Sequence, residues 1–252
     1  VADLFEKAWH GQYEIGGLIA IDFCALFSGQ GCLLLSAFSD WHYHSMTSLP
    51  DLLQSGISQL GLTIPDTAIE QLEYYVAALQ KWNAAYNLTA IREPREIVIK
   101  HLLDSLTVLP HLRANTLLDV GTGAGLPGLV LAIVKPDLQV DLLDSNSKKT
   151  RFLRQMVAEL GLKNVKVHHA RVEQADLPPQ MQVISRAFSS LSDFNRGCRH
   201  FLADDGVLLA MKGQFPQAEI DELPTDVQVI ESIALTVPFL DEARHLLVLG
   251  KV

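Results

Sequence analysis

The residues that could do chemistry are concentrated between Thr116 and Gly128, where glycine recurs. A short apolar strand, Leu117 to Val120, runs into a glycine-rich turn, and an apolar helix from Leu129 to Val134 follows and is ended by Pro136. Glycine is needed where the backbone takes a positive φ or where a ligand lies against it. The free N–H groups at the start of the helix would face that ligand. Strand, turn and helix therefore predict a binding corner for a nucleotide-like molecule.

Two classes of ligand fit this turn. The run from Gly123 to Gly128 matches the dinucleotide pattern G-x-G-x-x-G. That pattern opens directly after its strand, however, and here Gly121 and Thr122 intervene. Counted from the strand, Asp119 instead precedes glycines at 121, 123 and 125, an arrangement that resembles the first motif of S-adenosylmethionine-dependent methyltransferases. An ordinary glycine-rich loop is the least favoured interpretation, because the neighbouring residues also fit a cofactor site.

The nearest of these neighbours is Asp144, which ends a second apolar strand beginning at Leu138. It lies 19 residues after Gly125, and an acidic residue at about this distance binds ribose hydroxyls in such folds. Both a dinucleotide and S-adenosylmethionine contain a ribose, so this contact does not distinguish between them. The alternative is a helix cap, although Asn146 or Ser147 could fill that role.

Four cations, Lys148, Lys149, Arg151 and Arg154, follow at the start of an amphipathic helix that Gly161 ends. The whole chain of 252 residues carries a net charge of −9, which gives no general electrostatic case for nucleic acid. The local reversal of charge beside the glycine turn therefore indicates either a polyanionic substrate or an ordinary solvated helix face.

Composition bounds the class of protein. An apolar fraction of 48% is ample for a core. The cysteines Cys24, Cys32 and Cys198 form no framework, which favours a reducing cytosol. Residues 1–45 differ from the rest and fit neither a membrane span nor a signal peptide. We interpret them as a non-native or disordered extension, with Met46 as the natural start; a poorly ordered family-specific extension is the alternative.

The remaining elements alternate between helix and strand. Residues 46–112 have helical spacing, with Pro65 at a helix start and a further helix from Arg95 to Leu109. In that helix His101 and Asp104 share one face, where a buried capping network is at least as plausible as a site contact. Later strands are expected at Val165 to His169, Val183 to Ala187 and Val207 to Gly213, and the chain closes with an antiparallel pair, Gln228 to Val237 and Arg244 to Val252.

This alternation predicts an α/β fold with a doubly wound sheet over residues 113–252 and a helical layer before it, with 46–252 as one compact domain. Ligands bind outside the carboxyl ends of such strands. The candidates at those ends are the turn from Gly121 to Leu126, Asp144, Val172 with Glu173, Arg186 and Lys212.

Motifs spread over residues 46 to 252, and none in 1 to 45, resemble the bacterial 16S ribosomal RNA guanine-N7 methyltransferases, once called glucose-inhibited division protein B. The matching segments are Lys81 to Thr89, His101 to Ser105, Asp119 to Gly128, Leu143 to Ser145, Lys149 to Arg154, Arg171 to Glu173, Ile184 to Phe188 and Lys212-Gly213.

The resemblance implies a Rossmann-like class I methyltransferase sheet with an N-terminal helical layer, S-adenosylmethionine as cofactor, and methylation of N7 of guanine 527 in 16S ribosomal RNA. It carries the cofactor contacts over to Gly121, Leu126, Val172, Glu173 and Arg186. We add Thr122, Gly123, Gly125, Asp144 and Ser145 to this set, and we take the four cations of the helix and Lys212 as RNA-binding candidates. We expect a cytoplasmic monomer that acts on the small ribosomal subunit, without a metal or a membrane.

The chemistry agrees with this assignment. No Asn/Asp-Pro-Pro-aromatic clamp for an exocyclic amine stands after the fourth strand, where Arg186 and Phe188 are found, and Cys198 falls within an apparent helix from Leu191 to Leu202, as a core residue would. Guanine N7 carries a free lone pair, so direct displacement needs positioning and in-line geometry but no nucleophile. Arg186 could hold the cofactor carboxylate or an RNA phosphate. The alternatives are a nicotinamide-dependent oxidoreductase and a non-catalytic RNA-binding assembly factor.

Overall fold

Seven strands form one sheet in the order β3-β2-β1-β4-β5-β7-β6, in a computed structural model that describes residues 48–186 and 188–252. The first five strands are parallel, and β7 is antiparallel to both β5 and β6. The sheet order and the antiparallel seventh strand confirm the predicted fold class. The strands are β1 (Thr116–Val120), β2 (Gln139–Asp144), β3 (Val165–His169), β4 (Gln180–Ser185), β5 (Leu202–Lys212), β6 (Val227–Leu235) and β7 (Arg244–Lys251).

The register of the parallel strands aligns the candidate residues. Val120 of β1 lies beside Leu143 of β2, and Ser185 of β4 lies beside Ala210 of β5. The residues that follow these positions therefore leave the sheet at one edge. This edge is where a doubly wound sheet binds its ligands.

Helices cover both faces of the sheet. They are α1 (Leu49–Gln59), α2 (Asp66–Tyr86), α3 (Pro94–Ile97, continuing through a π-helical segment, Val98–Leu103, into Asp104–Leu106), α4 (Gly128–Val134), α5 (Ser147–Glu159), α6 (Leu191–Cys198) and α7 (Gln217–Asp221). Helices α1 to α5 enclose one apolar core with alternate strand residues such as Leu117 and Leu142. Helix α6 encloses the other with Leu118 and Leu143. Residues 48–252 form one compact unit.

Several predicted boundaries were wrong by a few residues. The helix predicted from Arg95 to Leu109 ends at Leu106, and the one predicted from Leu191 to Leu202 ends at Cys198. A 3-10 turn follows, and Leu202 already belongs to β5 because it pairs with Gln180. Strand β4 begins earlier than predicted and ends at Ser185.

The predictions for residues 1–45, for Met46 as a start and for Ala187 as a strand residue lie outside the described residues. Among the described helices none is both long and apolar enough to cross a membrane.

Candidate functional site

A cavity of about 580 Å³ opens above the carboxyl ends of β1, β2 and β3, and we call it the cofactor pocket. Five predicted cofactor residues line it together, namely Gly121, Asp144, Ser145, Val172 and Glu173. The other predicted residues, Thr122, Gly123, Gly125, Leu126 and Arg186, do not line it. The structure therefore gathers half of the predicted set around one cavity and leaves the rest to supporting positions or to a second cavity.

The glycine turn beside this pocket is held from below by Asp119. Its Oδ2 accepts hydrogen bonds from the Thr122 hydroxyl and from the Gly128 N–H, each at 2.7 Å. A Cβ on Gly128 would come within 2.8 Å of this carboxylate, so glycine is required there. Thr122 is buried by this contact, and Leu126 is buried in the core. Burial raises the pKa of Asp119 to about 6, although its hydrogen bonds oppose the rise.

The turn itself depends on backbone conformations that favour glycine. Gly121 has φ +68°, Gly123 +63° and Gly125 +102°. From above, the hydroxyl of Tyr75 on α2 donates to the Ala124 carbonyl at 2.9 Å. Complete burial raises the pKa of Tyr75, so it stays a hydrogen-bond donor at neutral pH. No sequence pattern predicts this contact, because it joins positions 49 residues apart.

Asp144 ties the turn to the following helix. Its Oδ2 accepts from the Gly123 N–H at 2.9 Å, and its Oδ1 accepts from the Asn146 N–H at 2.7 Å. It is not the cap of α5, because the Asn146 side chain accepts from the N–H groups of Lys148 and Lys149. The two bonds fix the carboxylate at the pocket wall, and each oxygen keeps a lone pair for a further donor.

A second cavity, of about 440 Å³, lies at the same edge above β4, β5 and β7, and we call it the basic pocket. Phe188 lines both cavities and so stands between them. The basic pocket takes its name from four cations in its lining, which are Lys100, Arg186, Lys212 and Arg244. Two cavities of these sizes, side by side at a sheet edge, suit a cofactor and a substrate.

Arg186 belongs to the basic pocket. Its guanidinium donates to Asp104 Oδ2 at 3.0 Å and to the Lys100 carbonyl at 3.2 Å. Asp104 is 2% exposed, and burial raises its pKa while the charges of Arg186 and Arg244 oppose the rise. Lys212, the other strand-end cation, is held by Glu219 at 2.8 Å and lies 3.3 Å from the Ser189 carbonyl. It therefore braces the loop after β4.

The predicted capping network exists and supports the basic pocket. Asn83 accepts from the Thr89 N–H at 2.9 Å, and the Thr89 hydroxyl lies 2.9 Å from His101 Nε2. Burial and the nearby charge of Arg186 lower the pKa of His101 to about 4. His101 is therefore neutral at physiological pH, and the network orients the π-helical segment of α3 without adding a charge.

The four cations of α5 divide between two positions. Lys149 lines the cofactor pocket, and its Nζ lies 3.8 Å from where a Cβ on Gly123 would be. Lys148, Arg151 and Arg154 are exposed and form no ion pair within the described residues. An unpaired basic surface thus begins at the rim of the cofactor pocket.

Cys198 is confirmed as a core residue, because it is fully buried in α6 and burial raises the pKa of its thiol to about 12. No set of three His, Cys, Asp or Glu side chains in the described residues is placed to hold a metal.

Two cations of the basic pocket, Arg244 and Lys100, were not predicted from the sequence. The signal for Arg244 was present, because the first residue of an antiparallel strand lies at the edge where its parallel neighbours end.

Known proteins match most of the chain. Residues 68–247 match the family model GidB, described as rRNA small subunit methyltransferase G. A ribosomal RNA small subunit methyltransferase G from Chromobacterium violaceum is 54% identical over 77% of this chain and 94% of its own length, and one from Neisseria meningitidis is 50% identical over 79% and 97%. Among solved structures, a SAM dependent methyltransferase from Aquifex aeolicus aligns with 62% of this chain and 93% of its own at 20% identity and a TM-score of 0.47.

Proposed function

This chain belongs to the GidB family of small-subunit ribosomal RNA methyltransferases G, and on that premise we propose that it methylates N7 of guanine 527 in 16S ribosomal RNA. It is an S-adenosylmethionine-dependent rRNA methyltransferase. The base, the atom and the position are our proposal, as is action on the small subunit by a monomer in the cytoplasm.

The observation that carries the proposal is the pair of cavities on either side of Phe188. The lining of the cofactor pocket includes the carboxylates of Asp144 and Glu173 as acceptors and Lys149 as a donor, which supports this assignment. Asp144 would accept the ribose hydroxyls, Val172 and Glu173 would flank the adenine, and the glycine turn would let the cofactor lie against the backbone. The basic pocket beyond Phe188 would take the guanine and its phosphates, with Arg186 in its lining.

When bound, S-adenosylmethionine supplies a methyl group on a sulfonium, so an acceptor with a free lone pair needs no activation. N7 of guanine is such an acceptor. The chain's task is then to bind both molecules in line and to keep water away, which positioning alone can achieve. Cys198 is buried and lines neither cavity, and neutral His101 is held by Thr89, so neither is offered as a nucleophile to a ligand in the cavities.

Three cations on α5, Lys148, Arg151 and Arg154, have no ion-pair partner in the part of the chain that the structure describes. They suit the RNA backbone, because exposed lysine and arginine side chains bind phosphates without sequence preference. A guanine in folded RNA must be splayed out of its stack before an enzyme reaches it. The basic surface would hold the flanking RNA while the base enters the pocket.

The decisive experiment is transfer of a tritiated methyl group to small subunits from cells that lack this protein, followed by mass analysis of the nucleosides. We expect N7-methylguanosine. Label on N6-methyladenosine or a 5-methylpyrimidine would contradict the proposal, and so would the absence of label, which a non-catalytic assembly factor would give. S-adenosylhomocysteine should raise the melting temperature and NADH should not, which excludes a nicotinamide-dependent oxidoreductase.

A further inference from the structure

One acceptor atom in the basic pocket lacks a hydrogen bond. Asp104 Oδ2 is held by Arg186, but Oδ1 accepts no hydrogen bond from any residue that the structure describes. Arg244 forms an ion pair with Oδ1, and its Nε lies 3.4 Å from that oxygen. The Asp104 side chain is 3% exposed. Buried polar atoms are nearly always satisfied, so this enclosed oxygen is short of a donor. Unlike Asp119, Asp104 lines a cavity, from which a ligand could supply that donor.

The surroundings of this oxygen limit the kind of donor. A phosphate is excluded at Oδ1, because an anion would be repelled by the carboxylate. A further cation is not needed, since Arg186 and Arg244 already compensate the charge. A neutral N–H on a flat molecule fits best, because Ile91, Phe188 and Met211 add apolar walls against which a base can pack.

We propose that Asp104 selects guanine by accepting a hydrogen bond at Oδ1 from the exocyclic 2-amino group. The inference rests on the proposed function, which places a guanine in the basic pocket. The 2-amino group projects from the edge of the ring, so it is the part of guanine that would approach the wall in which Asp104 is recessed. Adenine carries only hydrogen at this position. With adenine bound, Oδ1 would lack its hydrogen bond, and the cost of that unpaired oxygen would favour guanine over adenine.

The test compares two substrates that differ in this one group. Small subunits are reconstituted with 16S ribosomal RNA ligated to carry either guanine or inosine at the methylated position, since inosine keeps N7 and N1–H but lacks the 2-amino group. For the unmodified protein we expect kcat/KM to be at least ten-fold lower with inosine. This measurement needs no variant, so it is independent of folding defects.

The variant Asp104→Asn then shows whether Asp104 recognises the base or only holds the Arg186 side chain in place. Because Arg186 requires an acceptor, the amide oxygen should turn to it and place the amide nitrogen where Oδ1 stood. Guanine would then meet a donor, and the ratio of guanine to inosine kcat/KM should fall to about one. Glu219→Gln, which alters the carboxylate that holds Lys212 in the same pocket, is the matched control and should leave the ratio unchanged.

The outcomes are distinct. If Asp104 only holds Arg186, Asp104→Asn lowers both rates equally and the ratio stays as in the unmodified protein, which overturns the inference. Equal rates for guanine and inosine in the unmodified protein also overturn it while leaving the proposed function intact. Failure to methylate the guanine substrate at N7 overturns the proposed function and this inference with it.

Discussion

Asp119→Asn tests whether the buried negative charge of Asp119, beneath the glycine turn, lowers the free energy of unfolding. Asp119 is fully buried, its Oδ2 receives two hydrogen bonds and its Oδ1 receives none from the described residues. Asparagine keeps one oxygen for Thr122 and Gly128 and removes the charge. The amide nitrogen would take the place of Oδ1, where a donor without an acceptor costs about 1–3 kcal/mol at any pH.

The pH dependence follows from the direction of the pKa shift. A pKa of about 6 in place of 3.8 means that ionised Asp119 reduces the free energy of unfolding by about 3 kcal/mol. Between pH 4 and pH 6 the folded state binds more protons than the unfolded state, so this cost is complete above pH 6 and disappears as the pH falls towards 4. At pH 5 roughly half of this cost, on the order of 1 to 2 kcal/mol, should be relieved.

His101 acts in the opposite direction. Its pKa is lowered from 6.5 to about 4, so the folded state binds fewer protons than the unfolded state in that range, and stability is lost as the pH falls. The two effects oppose each other in the unmodified protein. Both proteins carry His101, however, so the difference between them isolates Asp119.

The assay is urea unfolding followed by circular dichroism at pH 5.0 and pH 7.5. The free energy of unfolding of Asp119→Asn, relative to that of the unmodified protein, should be higher at pH 7.5 than at pH 5.0 by about 1 to 2 kcal/mol. Asp137→Asn, at an exposed position, is the control and should show a constant difference. A difference for Asp119→Asn that stays constant within about 0.5 kcal/mol would refute the reasoning.

Three further predictions concern the site. Asp144→Ala should weaken S-adenosylhomocysteine binding by about 1.5–3 kcal/mol in calorimetry, and the protein should stay folded. Unchanged affinity would mean that Asp144 only accepts backbone hydrogen bonds and does not contact the cofactor. Cys198→Ala should keep methyl transfer and lose about 1–2 kcal/mol of stability, and a folded, cofactor-binding variant without activity would contradict this. Replacing Lys148, Arg151 and Arg154 with glutamine should raise KM and flatten its increase with salt, whereas an unchanged salt slope would show that RNA does not contact this surface.

The part of the site that the sequence predicted is the part built from neighbouring residues. The glycine turn and Asp144 lie on adjacent strands joined by a single helix, and their chemistry is local. Asn146 caps α5 for the same reason, because an N-cap bonds to residues two and three positions later.

The long-range contacts could not be predicted. Nothing near Arg186 in the chain indicates that its partner is Asp104, 82 residues earlier. The ion pair between Lys212 and Glu219 was not predicted either, because Glu219 lies on α7, and so short a helix has little periodicity to detect. The π-helical segment of α3 was likewise unforeseen, because an apolar pattern such as that of Val98 to Leu103 does not distinguish it from an α-helix.

The position of β7 between β5 and β6 has a consequence for how the protein is made. Strand β6 pairs only with β7 among the described strands, so on a growing chain it has no partner until β7 emerges from the ribosome. Arg244, which completes the basic pocket, arrives with that strand. The cofactor pocket needs nothing beyond Phe188 in its lining. All the residues that line the cofactor pocket therefore leave the ribosome before those that complete the basic pocket.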